Sequence, residues 1–474
     1  MVEKISVSTR RGEFQIPKGK LLGLDQVPMD KGEQRWGSGA IVTTFWGIGV
    51  TVASMMLSAG LLLMGLNWIQ VMIACFIASL ICVVVFLLNG VVGKNFGIPH
   101  TVQLRFTFGT RIGTYIPTIL RAIAGLFWAG IMTWIMAQCA DGIIGALSSG
   151  WAALPSFPRT LGLFVVLTGV QYIFMHYEYK GLRYLAVWGV PIFVVAFIIA
   201  IIWMYNITGT WGPVFEAGSK YAAWAPTSVF ITAIVIILGA WTTLFINISD
   251  LTRATHLSTK RLGVSIGIGW LGGMLMSYFL GIIVLSMSVV QGLGEEWNPV
   301  IWVIKFPVVG LAITILFFIF AVQLTTNLQA NVLSPTVTLC NLFRKLSFKK
   351  SSAIILFISL FTVPWVLLAH ASTLLQFVNN FGTVLGGIAG VMIADYYLVH
   401  KRKLNLAEAY VNGGIYSYFR GGINYLAIAA FVIAVILAAS FIDYGAIVGV
   451  VSGFVVYIVL IALGKRLPVI RRGV

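Results

Sequence analysis

The chain has 474 residues, 59% hydrophobic and 9% charged, with a mean hydropathy of +0.97 and a formal net charge of +17. That balance excludes a soluble globular domain, and the positive charge is confined to particular loops rather than spread as a nucleic-acid footprint. Apolar stretches long enough to cross a bilayer recur along the whole length, which predicts an all-α polytopic membrane protein.

Residues 1–37 are polar and lack the short apolar core of a cleaved signal peptide, so they are expected to form a cytoplasmic N-terminal segment. Twelve spans follow, at about 39–64, 68–93, 115–147, 160–178, 184–207, 226–250, 263–290, 308–341, 353–371, 374–399, 422–441 and 444–464. Only "LAHAST" separates the ninth from the tenth. No linker or low-complexity stretch divides the chain, so 38–465 reads as a single transmembrane transport domain, with 466–474 as a cytoplasmic tail.

Basic residues crowd the N-terminal segment (Lys4, Arg10, Arg11, Lys18, Lys20, Lys31, Arg35) and recur in alternate loops. Those loops carry Lys94, Arg105 and Arg111; Lys180 and Arg183; Arg253, Lys260 and Arg261; Arg344, Lys345, Lys349 and Lys350; and Lys401, Arg402, Lys403 and Arg420. The tail adds Lys465, Arg466, Arg471 and Arg472, while the opposite loops hold only Arg159, Lys220 and Lys305. The positive-inside rule then puts both termini in the cytoplasm, which requires an even number of spans and agrees with twelve. The expected location is a bacterial inner membrane or a plasma membrane. The four cysteines (Cys75, Cys82, Cys139, Cys340) lack metal spacing and read as small apolar residues.

Span 1 carries "FWGIGV" near its centre and span 6, five spans later, carries "ILGAW". Glycines at matching places in two halves predict a 5+5 inverted repeat, about 38–208 and 225–400, with spans 1 and 6 interrupted and a site at half depth. The extra spans, about 421–464, fall outside the repeat. In lipid a break is tolerated only where the freed backbone groups face protein or a cavity. These glycines also fit a kink or close packing by small residues.

Span 3 contains "GLFWAGIMTW", which puts Trp128 near mid-membrane, and Trp241 ends "ILGAW". Tryptophan favours the interface, so two central indoles suit either ordinary packing or a sandwich around a flat ring. Span 8 contains "QLTTNLQANVLSP", in which Asn327 and Asn331 share a helix face. A side-chain amide pairs with a cis-amide edge as asparagine pairs with adenine. The hydroxyls of Thr325 and Thr326, with carbonyls freed in span 1, offer neutral oxygens to a hard cation; interhelical hydrogen bonding is the plainer use. Asp141, Asp250, Asp395 and His370 lie near span ends, as caps or gate partners rather than proton carriers, which favours sodium over proton coupling. Arg121 near the start of span 3 is expected to snorkel or pair at the cytoplasmic face. No Walker motif, haem ligand set, HExxH or nucleophile elbow occurs, so no enzyme is expected.

On "FWAGIMTW", "ILGAW", "TTNLQANVLSPTVTLC", "GVMIADYYLVHKRK" and "GIYSYFRGGINY", in that order, the chain from about residue 36 resembles the nucleobase–cation symporter-1 family, most of all its bacterial hydantoin transporter branch. The resemblance implies a LeuT-type fold in which a bundle of spans 1, 2, 6 and 7 moves against a hash of spans 3, 4, 8 and 9. It implies that Trp128 and Trp241 stack on the substrate and that Asn331 hydrogen-bonds it. It implies a sodium site made by the carbonyls of Ile48, Thr51 and Val322 and the hydroxyls of Thr325 and Thr326. Two places depart from the hydantoin pattern: Met132 stands where a glutamine lies one turn beyond the span 3 tryptophan, and Val52 stands at a polar position on span 1. Gln329, Thr133, Thr242 or Thr243 would compensate, or the substrate has a more apolar edge.

The resulting expectation is a secondary active symporter importing a small planar nitrogen heterocycle, such as a nucleobase, hydantoin or an allantoin-like compound. It would use Na+ as coupling ion (H+ being the alternative), no cofactor and no nucleic acid, and would act in the bilayer as a monomer. The alternatives are a proton-coupled nucleobase permease and a LeuT-type carrier of amino acids or amines.

Overall fold

A computed structural model describes residues 4–18, 21, 26–176, 180–216, 223–343, 345–418 and 421–464. Lys20, Lys220, Arg344, Arg420 and the tail from Lys465 lie outside the described residues.

The chain begins with a hairpin, β1 (Lys4–Thr9) and β2 (Gly12–Pro17), paired antiparallel with Thr9 opposite Gly12. Alternation along it buries Val7 and Ile16 against Phe96, Phe106, Tyr410 and Tyr416. The turn residues Arg10 and Arg11 carry none of the Asn-Gly chemistry that announces a tight hairpin, so the sequence gives no signal for it. Arg10 is not a loose surface charge: it donates to Gln34 Oε1 (3.0 Å) and to the carbonyls of Leu257 (2.8 Å) and Thr255 (3.2 Å).

Twelve spans follow. Span 1 is two helices, Ser38–Gly49 and Val52–Leu63, bent by 50°. Spans 2 to 7 are Trp68–Phe96, Ile112–Leu147, Ser156–His176, Lys180–Thr208, Thr227–Asn247 and Thr259–Val290. Span 8 runs Val309–Thr326, relaxes into a π turn at Asn327–Val332 and ends as Leu333–Leu342. Span 9 is Phe348–Ser359 followed by a 3-10 turn and the short helix Pro364–Leu367, with Val363 between them at φ 44°. Span 10 is Ala371–Ala394 with a second π turn at Asp395–Val399. Spans 11 and 12 are Tyr425–Ser440 and Gly445–Gly464. Among the described residues, eight helices are each long and apolar enough to cross a membrane, and span 1 adds a ninth as a bent pair. Spans 5, 9 and 11 are not among these nine: span 5 counts only over the shorter apolar helix Val194–Thr208, span 9 is broken before Pro364, and span 11 is 16 residues long.

Spans 1, 2, 6 and 7 pack on one another, and so do spans 3, 4, 8 and 9. The fold is the LeuT type. The break in span 1 falls just after "GIG", at Val50–Thr51, where Thr51 caps the second half by accepting the N–H of Ser54 (3.2 Å). Span 6 corrects the expectation of a matching break. It runs unbroken through Leu238, Gly239 and Trp241, and its only irregularity is a turn at Ile248, beyond its end. Gly239 is used for close approach: a Cβ there would lie 2.7 Å from the Val378 carbonyl of span 10, and one on Gly382 would lie 2.5 Å from Gly239 Cα. Thr242 keeps the helix closed by donating to the Gly239 carbonyl (2.8 Å).

Candidate functional site

The candidate site residues come from spans 1, 3, 6 and 8. Trp128 is half-buried on span 3 and meets Phe377 of span 10 edge-on at 6.2 Å. Trp241 is half-buried on span 6 and meets Trp270 of span 7 edge-on at 4.6 Å; among the described residues the Nε1 of each of these two indoles has no hydrogen-bond partner. Among the described residues no ring contact joins Trp128 to Trp241. Each indole leans on a different aromatic and leaves the other free.

Span 8 enters through its amides. Asn327 is fully buried; its Nδ2 donates to Gln171 Oε1 of span 4 (2.8 Å) and approaches the Ala129 carbonyl of span 3 (3.2 Å). Asn331, half-buried one turn on, donates through Nδ2 to Asn327 Oδ1 (3.1 Å). The indole of Trp128 and the amide of Asn331 are thus tied to one turn of span 3, since Ala129 follows Trp128. Gln171 is fully buried and central to this network. A lone glutamine in an apolar span carries no pattern, and only the polar face of span 8 hinted that partners had to exist.

Gln329 does not join Asn331. It is exposed, and two residues along a helix turn a side chain by roughly 200°. Sequence spacing put it in the same motif, and helix phase sends it the other way. Met132 and Val52 are buried, Met132 one turn beyond Trp128 and Val52 at the first position after the break. Thr133 and Thr242 are committed, the first donating to the Ala129 carbonyl (2.7 Å) and the second to that of Gly239.

Of the oxygens suited to a cation, the Ile48 carbonyl has no backbone partner across the break, where Val52 would supply one in an unbroken helix. The Thr51 carbonyl accepts from Ser277 Oγ (3.0 Å), and the Thr51 and Ser54 hydroxyls lie 3.0 Å apart. On span 8 the Thr325 hydroxyl donates to the Val322 carbonyl (2.9 Å), and both residues are buried; Thr326 is half-buried. These are neutral oxygens, the type that suits a hard monovalent cation, although the Thr51 carbonyl already accepts two hydrogen bonds, from Ser277 Oγ (3.0 Å) and from the Met55 N–H (3.2 Å).

Arg121 departs from the expectation of a snorkelling residue. Span 3 starts at Ile112, earlier than the hydropathy suggests, so Arg121 lies well inside it and is 3% exposed. Its Nη2 donates to the Ala330 carbonyl (2.9 Å) and, with the Asn247 amide oxygen turned towards it, to span 6 (3.1 Å). Gly125 makes the room: a Cβ there would lie 2.7 Å from Nη1. The acids also have partners. Asp141 pairs with Arg159 (2.7 Å). Asp250 takes His100 Nδ1 (2.7 Å) and its backbone N–H (2.8 Å). Burial pushes the Asp250 carboxyl up, but the His100 ring and its hydrogen bonds outweigh burial and hold it below the usual range. Asp395 is 1% exposed, so it is not a solvated cap; it accepts from Tyr457 (2.9 Å) and Thr107 (3.0 Å).

Residues 28–460 match the family described as permeases for cytosine/purines, uracil, thiamine and allantoin. The chain is 30% identical over 456 residues to the hydantoin permease of Microbacterium maritypicum, covering 92% of this chain and 88% of that one. It is 28% identical over 467 residues to the allantoin permease of Bacillus subtilis (strain 168), covering 94% of each. Among solved structures it is similar to Mhp1, a nucleobase-cation-symport-1 family transporter, in a closed conformation with bromovinylhydantoin bound (TM-score 0.80, 26% identity, 95% of this chain and 97% of that one). It shares the fold of the inward-facing conformation of Mhp1 (TM-score 0.83, 24% identity, 96% of each chain).

Proposed function

The chain belongs to the family of permeases for cytosine/purines, uracil, thiamine and allantoin, and we propose that it is a sodium-coupled symporter importing a small planar nitrogen heterocycle of the hydantoin, allantoin or nucleobase type. One observation carries this reading: a half-buried indole, Trp128, and a half-buried amide, Asn331, are anchored to the same turn of span 3. An aromatic face and a directional amide edge are what a flat, hydrogen-bonding ring needs. Trp241, on the facing bundle, supplies the second face. Met132 and Val52 line the site with apolar surface, so the substrate has an edge that asks for no hydrogen bond there.

In this reading sodium sits between the Ile48, Thr51 and Val322 carbonyls and the Thr325 and Thr326 hydroxyls. The ion joins span 1 of the bundle to span 8 of the hash, next to the substrate. Whatever holds those spans together favours both ligands, so each tightens the other reciprocally. Alternating access is then a rocking of spans 1, 2, 6 and 7 against spans 3, 4, 8 and 9. Span 10 is the thin gate, pivoting where Gly382 meets Gly239. The loop charges support cytoplasmic termini, hence entry from the opposite face.

The test is a thermal-unfolding screen of the purified protein against hydantoin, allantoin, uracil, cytosine and hypoxanthine, with sodium chloride or choline chloride, at two pH values. At least one heterocycle should stabilise the protein, more with sodium than with choline. Stabilisation by amino acids or amines alone overturns the substrate class, and a shift that follows pH but ignores sodium overturns the ion.

A further inference from the structure

An amide has an accepting end and a donating end. Which end Asn331 shows to the site is decided by a chain of buried hydrogen bonds that starts at a main-chain carbonyl. The Ala129 carbonyl only accepts. The Thr133 hydroxyl donates its one proton to it (2.7 Å), so towards Gln171 it accepts, and Gln171 Nε2 donates at 2.9 Å. Gln171 turned this way presents Oε1 to Asn327, whose Nδ2 donates to it at 2.8 Å while lying 3.2 Å from the same Ala129 carbonyl. Asn327 Oδ1 is then left to face Asn331 and takes its Nδ2 at 3.1 Å. Gln171 and Asn327 are 0% exposed and Thr133 1%, so water cannot substitute for a link. Flipping Asn331 would set its oxygen against Asn327 Oδ1, two acceptors with no proton between them.

We propose that Gln171, through Thr133 and Asn327, is a positioning residue that fixes the orientation of Asn331, committing one Nδ2 hydrogen to Asn327 and leaving Oδ1 free to accept, so that the site selects heterocycles bearing an N–H donor on a lactam edge over isosteres with an acceptor in its place. This rests on the heterocycle reading above. Gln171 touches no substrate; it acts by removing the freedom of an amide two links away.

The probes are pairs that differ only in replacement of a ring N–H by oxygen: hydantoin against oxazolidine-2,4-dione, and uracil against its ring-oxygen analogue. Equilibrium binding in sodium is measured for the wild type and for Thr133→Val, Thr133→Ser and Gln171→Leu, with thermal unfolding to confirm folding. The wild type should prefer the N–H member of a pair by roughly tenfold or more, the penalty of one unmatched buried hydrogen bond. Thr133→Ser keeps the hydroxyl and should keep that ratio. Thr133→Val and Gln171→Leu should each reduce it severalfold, a change that a general loosening of packing does not produce. A wild type that binds both members equally, or a ratio that survives both disruptive variants, overturns the relay while leaving the heterocycle reading intact. If folded wild type binds no heterocycle in sodium, that reading fails and the relay falls with it.

Discussion

Spans 1 and 6 occupy equivalent places in the two halves, and each has glycine at its centre, yet one breaks and the other does not. Around the break in span 1 stand replacement partners: the Thr51 hydroxyl takes the Ser54 N–H, and Ser277 donates to the Thr51 carbonyl. Around Gly239 the buried neighbours are Ile236, Ile237, Leu238 and Ala240, and the buried hydroxyl nearby, that of Thr242, bonds back into the helix. Glycine permits a break in a membrane but does not cause one. The deciding factor is whether nearby side chains can satisfy the backbone groups a break would release. Where they cannot, the same residue serves to bring two helices together.

The contrast can be broken at its glycines first. Gly239→Val places a branched side chain where even a Cβ would lie 2.7 Å from the Val378 carbonyl. It should cost about 3 kcal/mol or more, read as a large fall in unfolding temperature. Gly49→Ala, whose Cβ would lie 3.0 Å from Met274 N, should cost clearly less. Equal tolerance of both would mean that span 6 does not need its close contact. Next in size is the cap. Thr51→Val should lower stability by about 1–2 kcal/mol, because the N–H of Ser54 loses its acceptor. Thr242→Val, in an intact helix, should cost less than 1 kcal/mol beyond any packing change, and denaturant unfolding of the pair gives the ratio.

A smaller effect separates ion from substrate. Thr326→Ala should raise the sodium concentration needed for half-maximal substrate binding severalfold, about 1 kcal/mol, while binding at saturating sodium changes less. An unchanged sodium response removes Thr326 from the cation site. The smallest effect concerns the end of span 6. Because the Asp250 carboxyl is held below the usual range, its pairing with His100 contributes stability above the ordinary aspartate pKa of about 3.9. That contribution is lost as pH falls through the lowered folded value. With its side chain 28% exposed, the gain is at most about 1 kcal/mol. Wild type should therefore lose slightly more stability than Asp250→Asn on acidification below about pH 4, measured by unfolding temperature.

Much of the fold was readable because hydropathy and alternate-loop charge repeat at the scale of whole spans. Local decisions were harder. "GIG" and "LGA" look alike as strings, and only the presence of Ser277 and Ser54 on one side and Gly382 on the other tells them apart. The N-terminal hairpin was missed because Arg10 and Arg11 are not turn formers; Arg10 is held instead by carbonyls more than two hundred residues away in the chain. Arg121, expected to snorkel or pair, is buried and donates to the Ala330 carbonyl; its depth was hard to read because the first turn of span 3, Ile112 to Tyr115, is weakly apolar and reads as loop. Tryptophan and asparagine at half depth are conspicuous by type, so Trp128, Trp241 and Asn331 stood out as residues. Gln171 did not, since its importance lies in which atom faces which, and that is set by a carbonyl of span 3. Gln329 shows the converse: membership of a polar motif counts for little when helix phase points the side chain elsewhere.

The most direct test of an aromatic-walled site is the affinity of Trp128→Ala for whichever heterocycle stabilises the wild type, measured calorimetrically in saturating sodium. Loss of one stacking face should weaken binding by about 1–3 kcal/mol with the protein still folded. Wild-type affinity in that variant would contradict the account, because no planar ligand could then be resting against this indole.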